Sequence, residues 1–167
     1  MSDQCTAKKA RSYPPWFVGL RMLIRSARRA NCTVRGVPRA MGVRTHCVLV
    51  NGHLCSVRHI THLCRIPKMR RAYVRAIVMR ESLVGIDVLV VCARVGAYPT
   101  EVFVIPVPLL VEKYFAGERR LAPLYLPMGT DKGVRGSPKP PIDFWRHHRE
   151  AWHLLSPPRP LPPPYSS

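Results

Sequence analysis

Apolar and polar positions recur along this chain with two different periods, and the change of period separates its elements. Between Trp16 and Ala30, Leu20, Leu23, Ile24 and Ala27 fall at helical spacing, and Arg21, Arg25, Arg28 and Arg29 share the other side. This predicts an amphipathic helix over 16–30, ended at Asn31. Residues 32–42, with Gly36, Pro38 and Gly42, read as a loop, with room for a short strand. The period then shortens to two. Cys47-Val-Leu-Val, Asn51-Gly52 and His53-Leu-Cys-Ser-Val57 form a β-hairpin signature, because Asn-Gly supplies the two positive-φ residues of a type I′ turn. Residues 61–71 are a basic loop. Over Tyr73–Arg80, Tyr73, Arg75, Ile77 and Met79 alternate with Val74, Ala76 and Val78. Ile86–Arg94 is almost wholly apolar, the composition of a strand covered on both faces. Glu101–Ile105 is the next strand, broken at Pro106 and Pro108. A short helix over Leu109–Phe115 and a short strand over Leu124–Leu126 follow.

The remaining segments differ in composition. Residues 1–15 are a basic arm ending at Pro14-Pro15, and 128–141 are a Gly/Pro/Lys-rich linker. Over 142–155 a last helix is expected, with Phe144, His148, Trp152 and Leu155 along one side. The stretch 156–167 is an extended Pro-rich tail. The expected architecture is α+β: a mixed, mostly antiparallel sheet of five or six strands in a domain over 16–127, with the N-terminal helix packed on it.

Charge sharpens this picture. Residues 4–80 hold 17 Lys and Arg and no Asp or Glu, whereas 81–167 hold 10 basic and 8 acidic residues. With Asp3 counted, the first half carries +16 and the second +2. Like charges repel, and a merely solvated surface mixes signs. A polyanion relieves that repulsion by releasing its counterions, so nucleic acid is the expected partner. A generally arginine-rich composition is the bland alternative. No apolar run reaches the ~18 residues of a membrane span, and the first residues lack a signal-peptide core. No membrane association is expected. The cysteines, in no tight framework, read as free thiols of a reducing compartment, cytoplasm or nucleoid.

Ile86-Asp-Val-Leu-Val-Val, Glu101-Val-Phe-Val-Ile-Pro106 and Leu124-Tyr-Leu-Pro127 resemble the group I intron-associated type of endonuclease within the PD-(D/E)xK restriction-like nucleases. The resemblance spans roughly 16–127 and implies a nuclease-like scaffold. It places the catalytic strands on the hairpin 46–59, with the metal-binding Asp position near His46 or Cys47 and (Asp/Glu)-x-Lys on Ser56-Val57-Arg58. No carboxylate stands there to hold Mg²⁺, so the scaffold is expected to be catalytically degenerate, with Arg58 kept as a phosphate contact. Asp87 and Glu101, at the starts of two strands, are the fallback carboxylates for an active Mg²⁺-dependent endonuclease.

Other constellations complete the candidates. His53, Cys55, His59, His62 and Cys64 are a fallback zinc set, although their spacing fits no standard finger. No cofactor is expected otherwise. Arg70, Arg71 and Arg75 surround Tyr73 with cations, which suits backbone and base contact. Trp145, His147, His148 and Trp152 read as a core-facing stripe. Pro162-Pro-Pro-Tyr165 matches a WW-domain ligand and points to a protein partner for the tail. The leading expectation is therefore a nucleic-acid-binding protein, DNA favoured over RNA, contacting phosphates through Arg21, Arg25, Arg28, Arg29, Arg58, Arg70 and Arg71. A divergent nuclease and a basic ribonucleoprotein component are the alternatives.

Overall fold

The computed structural model describes residues 13–38, 41, 46–64, 72–115, 117, 119–129 and 144–156. The basic arm up to residue 12, Arg70, Arg71, the 130–143 stretch and the Pro-Pro-x-Tyr motif lie outside the described residues. Helix α1 runs from Pro15 to Arg29. Pro15 suits its first position, where the missing N–H has no intrahelical partner in any case. Asn31 ends it with φ 58°, and the N–H of Cys32 reaches back to the Ala27 carbonyl at 2.9 Å. That is a Schellman-type cap with Asn in the left-handed position.

The strands form two sheets rather than the single one expected. Strands β1 (Val34–Arg35), β2 (Cys47–Val50), β3 (His53–Ile60), β6 (Val88–Ala93) and β7 (Glu101–Pro106) lie in the order β1-β2-β3-β6-β7. Strands β4 (Leu63–Cys64), β5 (Tyr73–Met79) and β8 (Leu121–Pro127) form a second sheet in the order β4-β5-β8. Among the described residues the pairing β3·β6 is parallel and the other strand pairings are antiparallel. After β5, the turn over Arg80–Leu83 and Gly85, at φ 69°, leads β6 back beside β3. The reason is burial. All six residues of β6 are buried, so it belongs in the middle of a covered sheet, whereas β5 keeps Arg75, Ile77 and Met79 exposed.

The five-stranded sheet thus has two covered faces. On one, Leu23 and Ala27 of α1 pack with Cys55, Val57, Val88, Val90, Cys92, Val102 and Val104. On the other, Leu54, Leu89, Val91, Phe103 and Ile105 meet Val74, Ala76, Val78, Leu124 and Leu126 of the second sheet, with Leu110 of α2 (Val107–Tyr114) and Trp145. The hairpin has the anticipated form: Val50 pairs with His53, and Asn51 and Gly52 take φ 49° and 78°. The Asn51 side chain also accepts from the Thr33 N–H at 2.8 Å and donates to the Leu155 carbonyl at 3.3 Å.

The expected helix over 142–155 is instead two 3-10 turns, Phe144–His148 and Trp152–Leu155. Between them Arg149 bridges to Phe103, the Glu150 N–H donates to the Val102 carbonyl at 2.8 Å, and Glu150 takes φ 50°. Pairing to the free edge of β7 outcompetes the helix. The buried residues are accordingly Trp145, Ala151, Trp152 and Leu155.

α1 approaches the sheet closely at Gly19. A Cβ there would stand 2.8 Å from His59 Cβ and 3.4 Å from Val57 Cγ2. Gly19→Ala should therefore destabilise the fold by about 1–2 kcal/mol, overpacking outweighing the gain in helix propensity. Urea denaturation followed by circular dichroism checks this. Unchanged or raised stability would show that the helix yields freely.

Candidate nucleic-acid interface

The four α1 arginines are exposed on the side away from the core. Arg21, Arg25 and Arg29 recur every fourth residue and form one ridge along the helix. The ridge borders a groove of about 620 Å³, lined further by Tyr13, Phe17, Val18, Met22, Arg94, Thr100 and Val102. Arg94 follows β6 and Thr100 precedes β7, so the wall opposite the helix is the loop between β6 and the edge strand β7. Arg28 lies beside this groove, with Ile24, Arg21 and Arg25, in a shallower depression. Among the described residues no carboxylate lines either surface. Arginines four apart on a helix repel by a few tenths of a kcal/mol per pair, and α1 contains no acidic residue to offset this. The arrangement suits an external anion.

Sequence reasoning placed Arg21, Arg25, Arg28 and Arg29 on one side of α1 and gave no place to Arg94, which the parallel β3·β6 pairing brings opposite them. It also passed over Tyr13 and Phe17, although both continue the four-residue period that was already visible. Their rings stack with centroids 4.9 Å apart, and Trp16 meets both Phe17 and His46 edge-on.

Other expected contacts fall elsewhere. Arg58 alternates with Leu54 and Ser56 and pairs with Val91, so it stands on the sheet face away from α1. Tyr73 is 1% exposed and cannot stack on a base; its place at the end of β5, beside Cys64 and Pro127, buries it. Arg75 is exposed on the second sheet.

Of the hairpin positions that the nuclease resemblance singles out, Cys47, Ser56 and Arg58 lie on the sheet face away from α1, whereas Val57 faces the helix. Cys47 pairs with Ser56, Cys47 packs against the inter-sheet core, and Ser56 is buried. The fallback carboxylates do not meet. Glu101 pairs with Ala93 at one end of β6, whereas Asp87 precedes Val88 at the other, about 20 Å away at ~3.3 Å per residue. Asp87 accepts the Leu54 N–H at 2.8 Å and so fastens β6 to β3. Glu101, 6% exposed, accepts the Gly129 N–H at 2.9 Å and pairs with Arg149 at 3.1 Å. Arg149 in turn donates to the Pro127 carbonyl at 2.8 Å and lies over the Phe103 ring. Asp87 thus joins two strands, and Glu101 ties the start of β7 to Gly129 and Arg149.

The fallback zinc set is dispersed as well. His53, Cys55 and His59 share the α1 face of β3, as the alternation predicts, but Cys64 is on β4 in the other sheet. No group of three such ligands assembles among the described residues. Burial raises the Cys55 thiol far above its ordinary range, which opposes the thiolate that zinc requires. Cys32, Cys47, Cys55, Cys64 and Cys92 are unbridged, and no described helix is long and apolar enough to cross a membrane.

In three dimensions the chain is similar to a bacterial homing endonuclease, I-Ssp6803I, with a TM-score of 0.43 and 18% sequence identity over 83% of this chain and 87% of that one. No protein-family model matches the sequence, and no curated protein matches it.

Two outcomes follow from this geometry. Glu101→Ala should destabilise the fold by about 2 kcal/mol, because Arg149 loses its partner while staying partly buried; Glu101→Gln, which keeps an acceptor for Gly129, should cost less. Urea midpoints of the two variants decide this, and equal, negligible losses would contradict it. The second concerns pH. His59 is held below the ordinary imidazole value of 6.5, by burial first and by Arg94 in addition, with the Pro15 backbone partly offsetting both. His148 is likewise lowered by burial, then by His147 and His153. Unfolded histidines protonate near 6.5, before the folded ones. Stability should therefore be full above pH 6.5 and fall as the pH descends from there toward the lowered folded values. Denaturation midpoints at pH 7.5 and 5.5 should show the fall, and His59→Gln with His148→Gln should flatten it. A midpoint that rises on acidification would refute the assignment.

Proposed function

We propose that this protein binds nucleic acid, DNA in the first place, through the groove between α1 and the loop between β6 and β7. The observation that carries this reading is the row Arg21, Arg25, Arg29 facing Arg94 across a groove lined by no described carboxylate. The row gives point-by-point neutralisation along a phosphate backbone, and guanidinium groups suit phosphate oxygens in a paired, planar geometry. Arg28, beside the row, adds to the attraction. Phosphate contacts of this type position a strand without reading its sequence. The +16 of the first half of the chain supplies long-range steering toward the same partner.

The same reading holds that the scaffold does not cut. Phosphodiester hydrolysis of the restriction-like kind needs a divalent metal held by carboxylates. The hairpin offers Cys47 and Ser56 at the corresponding places, and Asp87 and Glu101 are engaged at opposite ends of β6.

Binding to a labelled 20–30 base-pair duplex should weaken roughly a thousandfold between 50 and 200 mM salt if about six phosphates are neutralised. The triple change Arg21→Ala, Arg25→Ala, Arg29→Ala should weaken binding and lower the salt slope by about three. Incubation with supercoiled DNA in Mg²⁺ or Mn²⁺ should leave it intact. An affinity indifferent to salt overturns the binding reading. Cleavage that Asp87→Ala or Glu101→Ala abolishes overturns the non-cutting one.

A further inference from the structure

We infer that the groove holds a single strand with one unpaired base stacked on Tyr13, so that the preferred ligand is DNA with an unpaired nucleotide rather than blunt duplex. The inference rests on the nucleic-acid reading above and makes its ligand specific.

Tyr13, Phe17, Arg21, Arg25 and Arg29 follow one another at intervals of four. Within α1, four residues advance about 6 Å along the helix axis, a step comparable with the separation of successive phosphates along one strand. The ridge is therefore a track: three guanidinium groups toward the C-terminal end, then two aromatic rings at the N-terminal end, all bordering the same groove. A strand laid with its phosphates on Arg29, Arg25 and Arg21 brings its next nucleotide to the rings.

The rings are built to receive a base. Tyr13 and Phe17 are stacked with an interplanar angle of 25°, so one face of Tyr13 is covered while the residue as a whole remains 56% exposed. Phe17 is itself held by Trp16 edge-on at 5.9 Å, and Trp16 by His46 at 5.3 Å. A ring backed in this way loses little freedom when a base covers its open face. Stacking is indifferent to base identity, because every base has a π-face. A base still paired inside a duplex has its faces covered by its neighbours and cannot use this platform without being unstacked.

The test measures fluorescence anisotropy on three probes of one sequence: a blunt duplex, the same duplex with a short single-stranded extension, and the single strand. A 2-aminopurine in the extension reports stacking. The wild type should bind the extended duplex about tenfold more tightly than the blunt one and quench the 2-aminopurine, in keeping with the usual loss when one stacking aromatic is removed. Tyr13→Ala and Tyr13→Leu should abolish both the preference and the quenching, and Tyr13→Phe should keep both. Tyr13→Leu retains an apolar contact on Phe17, so its loss would reflect the missing π-face and not a disturbed helix start. Arg25→Ala should weaken all three probes alike. If the wild type binds blunt and extended duplexes equally, or if the Tyr13 variants change nothing, the stacking inference fails and the phosphate-binding groove stands. If no probe binds in a salt-dependent manner, the nucleic-acid reading itself fails.

Discussion

The close approach of α1 to β3 at Gly19 is the contact on which the placement of every candidate group depends. Any Cβ at residue 19 would collide with His59 Cβ. The helix therefore lies directly on the backbone of the sheet, with Leu23 and Ala27 fully buried beneath it. Its apolar stripe is narrow and fixes its rotation about its own axis. Once that rotation is set, the row of arginines must face outward and toward the loop between β6 and β7. Arg94 stands opposite the row because β6 runs parallel to β3, the strand that α1 covers. The basic groove is thus a consequence of helix–sheet packing, and residues that never touch a ligand define it.

A second set of contacts holds the far end of α1. Ser26, 1% exposed, donates to the Glu150 carboxylate, and the Trp152 indole N–H donates to Ser26 Oγ at 2.7 Å and to Glu150 at 3.1 Å. This polar knot joins α1 to the C-terminal segment across the β7 edge. Its members satisfy one another, which is the condition under which buried polar groups stabilise a unique packing. Together with Glu101 and Arg149 it explains why the segment after residue 143 follows the sheet edge instead of coiling as a helix. The backbone groups of β7 need partners, and Arg149 and Glu150 provide them.

The sequence made the elements legible where one local signal dominated. Asn51-Gly52 dictated the hairpin, the alternation over β5 was exact enough to assign both faces, and the all-apolar β6 declared a strand covered on both sides. It failed where partners distant in sequence decided the outcome. Nothing local says that β6 pairs with β3 across the whole of β4 and β5, and so the second sheet was not separable from the first. The same gap explains the site. Arg58 and Tyr73 have the composition of contact residues, yet strand alternation puts Arg58 on the other face and strand-end packing buries Tyr73. Asp87, just before β6, and Glu101, at the start of β7, flank adjacent strands, but antiparallel register sets them at opposite ends. Residue type was readable, whereas register was not.

Register also bears on whether the positive charge reflects a partner or merely an arginine-rich composition. A general excess of arginine would scatter cations over the surface and leave the carboxylates free to pair with them. Here Asp87 binds the backbone of β3, Glu101 is engaged inside with Gly129 and Arg149, and Glu150 is tied to Ser26 and Trp152. Three of the few acidic residues serve as internal fasteners, while α1 presents its arginines at a regular interval on one ridge with no acidic residue in the helix. A carboxylate at any outward position of α1 would relieve the repulsion between those arginines at no cost in packing. Its absence leaves the helix under a repulsion that an external anion would relieve, and the four-residue spacing is the reason for proposing an extended, regularly charged chain and not a single small anion as that partner.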